Sequence, residues 1–180
     1  VYIADTFNHS IRKVAADGTI STLAGSGAPG FSGDGALAAA AVLAHPQAVF
    51  WQGGKLFIAD GGNGRVRVVD LATGIITTSA GGGGAPPPDF GDGGPATSAT
   101  LQPQGLFVSA GGDLYITDQS ANRVRKVDVG GTIYNVAGST IQPPGFSGDG
   151  GFAVEAQLQQ PVGVALDAAG NIYITDGGNQ

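Results

Sequence analysis

The 180-residue sequence contains no cysteine, which excludes disulfides and any chemistry that runs through a thiolate. It contains no methionine either, and it starts at Val1 within a strand-like run. That start reads as a piece of a longer protein or as a mature chain. Charge is sparse: 12% of residues are charged, and 14 acids against 8 bases give a formal net charge of −6. An acidic chain is a poor partner for nucleic acid or an anionic membrane surface. No apolar run approaches the roughly 18 residues a spanning helix needs, so no direct membrane insertion is expected. Metal-ligating and catalytic side chains are few. His9 and His45 are the two histidines and Glu155 is the single glutamate. A zinc site takes three or four convergent ligands, and the few serines fall mostly in turns, so neither zinc nor a Ser–His–Asp set is expected.

What the chain does have is glycine, 33 residues of it without a collagen-like period, and 42% hydrophobic residues in short segments. It also repeats itself. "VYIAD", "LFIAD", "LYITD" and "IYITD" end at Asp5, Asp60, Asp118 and Asp176, which are 55, 58 and 58 residues apart. Each of the first three is followed by a basic β-branched segment: "SIRKV", "RVRVV" and "RVRKV". Then come "GTISTLAG", "GIITTSAG" and "GTIYNVAG", a glycine-rich loop, and a proline-led segment near Gln47–Trp51, Gln104–Ser109 and Val162–Asp167. Four short segments of β-branched and aromatic residues per unit, split by Gly, Asn, Asp and Pro, read as four strands. Four strands repeated at this period predict the blades of a β-propeller. "ALAAAAVLA" (36–44) and "PATSATL" (95–101) lie between blades and are short enough for one or two helical turns at most.

The stretches "GNIYITDGGN" (170–179), "ANRVRKVD" (121–128) and "GTI" followed by "VAG" resemble NHL repeats, and the resemblance covers essentially the whole chain. It implies an all-β propeller of four-stranded NHL-type blades, about three of them here, as half or a fragment of a six-bladed ring. Residues 1–44 form a partial blade plus loop, 45–101 and 102–158 two blades, and 159–180 the start of the next. Three blades do not close a ring, and open edges invite pairing. Either the parent chain carries more blades, or two copies close one ring as a homodimer. The "GFSGDGG" and "PATSA" insertions resemble a long variant of the repeat found in large bacterial secreted or surface proteins. The resemblance therefore implies an extracellular or cell-surface scaffold that presents loops to a protein or a glycan. The competing implication is a metal-dependent lyase- or lactonase-like enzyme whose active residues lie mostly in other blades.

Four groups of residues stand out. Asp34, Asp92 and Asp149 sit in the glycine-rich loops and are candidate calcium ligands, since calcium takes hard oxygen donors. Each loop offers one carboxylate where six to eight oxygens are needed, so the plainer reading is a turn that braces adjacent blades, with Phe31, Phe90 and Phe146 plugging the gaps. Asp5, Asp60, Asp118 and Asp176 end the second strands, and Arg12, Arg67 and Arg125 follow the first three by seven residues. They read as one Asp–Arg pair per blade. Seven of the eight basic residues fall in third strands, but without interleaved aromatics they make a poor RNA stripe. Trp51 reads as core. His9 and His45 fall at unmatched points of the repeat. "GGGGAPPPDF" departs most from its sister loops, and its prolines favour a stiff extended segment, so Pro86, Pro87, Pro88, Asp89 and Phe90 form the candidate contact loop.

Overall fold

The computed structural model describes residues 1–179. Thirteen strands form four antiparallel sheets in chain order. The first sheet is β1 (Tyr2–Asp5), β2 (Ser10–Val14) and β3 (Ile20–Ala24). The second is β4 (Pro46–Gln52), β5 (Lys55–Asp60), β6 (Arg65–Asp70) and β7 (Ile76–Gly81). The third is β8 (Pro103–Val108), β9 (Leu114–Asp118), β10 (Arg123–Val127) and β11 (Ile133–Ala137). The last is β12 (Pro161–Leu166) paired with β13 (Ile172–Asp176). Each complete sheet is an up-and-down meander in sequence order, which is a propeller blade. The first strands of successive blades, β4, β8 and β12, lie side by side.

Alternation along the strands explains the stacking. In β5, Leu56 and Ile58 point into the core shared with the first sheet, while Ala59 on the opposite face belongs to the core shared with the third. Every blade interior to the stack therefore buries both faces. The linkers complete the cores: Ala38, Ala41 and Leu43 fill one, and Ala96, Ala99 and Leu101 fill the other from the same repeat positions. Each Ala-rich stretch makes a single 3-10 turn, Ala38–Ala40 and Ala96–Ser98. Fully burying one Ile or Leu side chain contributes about 1.5–3 kcal/mol, so these layers carry the stack.

The first sheet shows what an uncovered face looks like. Val1, Ile3 and Ile20 are 81%, 41% and 54% exposed, whereas Leu56, Ile58 and Ile76 at their repeat positions are fully buried. Three expectations need correcting. The first strands begin on the prolines, Pro46, Pro103 and Pro161, a place where a missing N–H costs no ladder bond. Trp51 is 55% exposed at the end of β4 and is not core. The proline run is not stiff and extended throughout: residues 87–90 turn, and the Phe90 N–H donates to the Pro86 carbonyl at 3.0 Å.

Candidate functional site

The antiparallel register of β5 with β6 sets Asp60 opposite Arg65 and Ile58 opposite Arg67. Arg67 is fully buried and faces two carboxylates. Its Nε and Nη2 donate to Asp34 Oδ1 at 3.1 and 2.7 Å, and Nη1 lies 3.6 Å from Asp60 Oδ2. Nη2 also donates to the Ser32 carbonyl, and the Thr78 hydroxyl donates to Asp34 Oδ2 at 2.6 Å. The next blade repeats the pattern. Arg125 donates to Asp92 Oδ1 through Nε at 3.0 Å and Nη2 at 2.7 Å, to Asp118 Oδ2 at 3.3 Å, and to the carbonyls of Phe90 and Thr100. The loop aspartates and the strand Asp–Arg pairs, separate in the sequence, are thus one cluster. The arginine ties the incoming linker to the blade's second strand. A guanidinium with five donors suits this fork.

The strand aspartates do a second job. Asp60, Asp118 and Asp176 accept the backbone N–H of Ala44, Gln102 and Gln159 through Oδ1 at 2.8, 3.0 and 2.7 Å, holding the approach to each first strand. Asn8, Asn63 and Asn179, three residues after their aspartates, donate to Asp5, Asp60 and Asp176. In the third blade Ser120 fills that role for Asp118. Burial pushes the Asp60 carboxyl above the usual carboxylate range, opposed by Asn63, the Ala44 amide and Arg67.

The outermost members are less complete. Arg12 lies 3.5 Å from Asp5 with both side chains partly exposed. Among the described residues Asp149 is exposed and in no ion pair, and no three His, Cys, Asp or Glu side chains gather to hold a metal. With Asp34 and Asp92 already bound to guanidinium, EDTA is expected to leave the melting temperature unchanged. A fall of several degrees on chelation would show that calcium, not arginine, holds these loops.

Other expectations shift. The phenylalanines do not plug inter-blade gaps: Phe31 lies over Arg65, 3.9 Å from centroid to guanidinium carbon, Phe90 stands 5.6 Å from Arg123, and Phe146 is 75% exposed. Aromatics therefore do interleave with the arginines, but Arg67, Arg123 and Arg125 are buried and make no surface stripe. His9 and His45 meet across a blade joint. The His45 N–H donates to His9 Nδ1 at 3.1 Å, as the Gln160 N–H donates to Asn122 Oδ1 at 2.8 Å. All four residues take positive φ, 46–52°. The histidines are one version of a recurring latch between a turn and the next first strand. The sequence signal was available: each latch acceptor lies four residues after a second-strand aspartate.

The NHL repeat family is matched over residues 158–180. The two strands matched there, β12 and β13, repeat the β4–β5 and β8–β9 hairpins that open the two preceding blades. The family match and the NHL-containing relatives support an NHL-repeat β-propeller. Relatives of the chain include the Arabidopsis thaliana protein SUPPRESSOR OF QUENCHING 1, chloroplastic, 29% identical over 99% of the chain and 18% of the relative. NHL repeat-containing protein 2 of Bos taurus is 27% identical over 99% of the chain and 28% of the relative. The chain thus spans well under a third of either relative. Among solved structures, a Bacteroides thetaiotaomicron protein of unknown function has a TM-score of 0.69 at 20% identity, covering 97% of this chain and 41% of that one. An auxiliary nutrient binding protein of the same organism has a TM-score of 0.67 at 16% identity (97% and 42% covered), and a streptogramin B lyase 0.62 at 14% (99% and 45%). At these identities the likeness shows the propeller fold alone, and the fold hosts both binding proteins and enzymes.

Proposed function

We propose that this NHL segment is a non-catalytic scaffold, outside the cell or on its surface, that presents inter-blade loops to a protein or a glycan. The observation that carries this reading is the state of its acids. Asp34, Asp60, Asp92 and Asp118 are each engaged by an arginine, and Asp60, Asp118 and Asp176 also by backbone amides. A general base or a metal ligand needs a carboxylate free to act, and these are committed to holding blades together. The similarity to a nutrient binding protein fits a binding role, and the long "GFSGDGG" variant fits the extracellular setting. The contact loop is 86–90, where the chain departs from its own repeat. Further blades, or a second copy, are the natural cover for the open face around Ile3 and Ile20. The residue blocks 45–101 and 102–158 are the units we assign to successive blades.

The competing reading, part of a metal-dependent lyase- or lactonase-like enzyme, has the similarity to the streptogramin B lyase in its favour. The test replaces residues 86–90 by a Gly–Ser stretch. Binding on peptide and glycan arrays should disappear while the melting temperature holds. Hydrolysis of a lactone, or elimination on a cyclic ester, that needs added divalent cation and survives the loop replacement would instead establish the enzyme.

A further inference from the structure

The third linker is folded to hold an arginine and holds none. In "GFSGDGALAAAAVLA" (30–44) and "GFSGDGGFAVEAQLQ" (145–159), Asp149 stands at the place of Asp34 and Phe146 at that of Phe31. The same bonds fix both loops. Asn179 donates to the Gly145 carbonyl as Asn63 does to that of Gly30, each at 2.7 Å. The Gln159 N–H donates to Asp176 Oδ1 as the Ala44 N–H does to Asp60 Oδ1. The arginine is what differs. Asp34 and Asp60 flank Arg67, whereas Asp149 is exposed, Asp176 is half-buried, and neither is in an ion pair among the described residues. Phe31 lies 3.9 and 4.8 Å from the guanidinium carbons of Arg65 and Arg67, whereas Phe146 is 75% exposed.

In the complete blades the arginines arrive on a third strand that pairs with the second. Arg67 lies opposite Ile58 and Arg65 opposite Asp60; Arg125 lies opposite Ile116 and Arg123 opposite Asp118. The matching positions on β13 are Ile174 and Asp176, and that edge is open, because β13 pairs with β12 alone among the described strands. An open edge offers unpaired N–H and C=O groups to any strand. The side chains beside it select which. Two carboxylates favour a guanidinium over a neutral group, and in both sister seats one carboxylate oxygen takes Nε and Nη2 together, a fork that an ammonium does not match. The bare face of Phe146 suits a second cation.

We propose that the β13 edge, with Asp149, Asp176 and Phe146, is a docking site for an extended strand of a partner polypeptide bearing the pattern Arg-x-Arg. The strand runs antiparallel to β13. Its second arginine lies opposite Ile174 between Asp149 and Asp176, and its first lies opposite Asp176 and over Phe146. "RVR" at 65–67 and 123–125, seated in the same way twice in this chain, argues for that occupant. A second copy fits less well: the third strand of its first sheet reads "SIR", with one arginine, and the edge it would offer is already covered by β1. This site goes beyond the scaffold reading and needs nothing from residues 86–90, so its failure leaves that reading standing.

The test is an amide NMR titration of the whole chain with the synthetic peptide "ANRVRKVDVGGTIYNVA", its own residues 121–137. Saturable shifts at up to millimolar peptide are expected in 146–149 and 172–176. The peptide with Arg125→Gln should bind about tenfold more weakly, the loss of one hydrogen bond to a charged group. The peptide with Arg125→Lys should also bind more weakly, since the fork is gone. Asp149→Asn in the protein, a change at an exposed side chain, should weaken the parent peptide by a similar factor and leave the Arg125→Gln peptide unaffected. Equal binding of the parent and Arg125→Gln peptides would reduce the site to an unselective edge and overturn the proposal, as would the absence of saturable shifts. A free chain that is dimeric by light scattering and that Asp149→Asn makes monomeric would put a second copy in the seat and overturn the partner strand.

Discussion

Replacing Arg125 by alanine is expected to lower the melting temperature by roughly 6–20 °C, the consequence of a loss of about 3–5 kcal/mol in a domain of this size. The reason is what stays behind. Asp118 is fully buried and would lose its one ion-pair partner among the described residues, and the carbonyls of Phe90 and Thr100 would lose a donor. Burying an ion pair is no great gain over a hydrophobic contact, but removing one partner leaves an uncompensated charge in a poorly solvated place. Arg67→Ala should behave the same way, since Asp60 is equally buried. Arg12→Ala should not. Its pair with Asp5 is partly exposed and 3.5 Å long, and such pairs contribute about 0–1 kcal/mol. The measurement is thermal unfolding of the three variants side by side. Near-equal losses at Arg12 and Arg125 would sink the argument that burial in the joint sets the cost. Loss of partner binding at unchanged stability would turn the arginines into a contact surface.

How much of this cluster the sequence revealed follows from chain distance. Asp60 and Arg67 are seven residues apart across one tight turn, so local strand reasoning pairs them. Asp34 joins the same arginine from 33 residues upstream, and nothing in a one-dimensional pattern says that the loop folds onto the following blade. The repeat pointed to a brace between adjacent blades and left open that an arginine of the next blade is what the loop carboxylate grips. The phenylalanines misled because they look equivalent in the sequence. One missing serine shifts Phe90 by a position, so its carbonyl, not its ring, does the repeated work. The histidines misled in the opposite direction. Their latch uses Asn122 with Gln160 elsewhere, so chemically unlike residues share a role that depends on a left-handed turn and on one acceptor atom. Trp51 was expected in the core because large apolar residues usually are, yet its place at the end of β4 leaves it at a rim. The period of four strands was readable throughout, since alternation and turn residues are local.

The glycine that closes "LAG", "SAG" and "VAG" supplies the second large effect. Gly25, Gly81 and Gly138 take φ of +94°, +80° and +94°, where a β-carbon is disfavoured. Space is the greater obstacle. A methyl at Gly81 would run into the Gly64 carbonyl oxygen, and one at Gly138 would sit 2.5 Å from the Asn122 carbonyl oxygen and 3.0 Å from the Arg123 Cα. These are backbone atoms of the neighbouring third strand, where Arg65 pairs with Gly81, so neither side can yield without opening the sheet. Gly81→Ala is therefore expected to cost on the order of 3 kcal/mol or more, combining left-handed strain with the clash. Gly18→Ala is the control. Its φ is +86° but nothing lies within 4 Å of the added methyl, so only the strain of about 1–2 kcal/mol applies. Urea unfolding midpoints of the two variants separate the terms. A Gly81→Ala protein no less stable than Gly18→Ala would mean that backbone strain alone selects the glycine, and that the third and fourth strands have room to part where Arg65 pairs with Gly81.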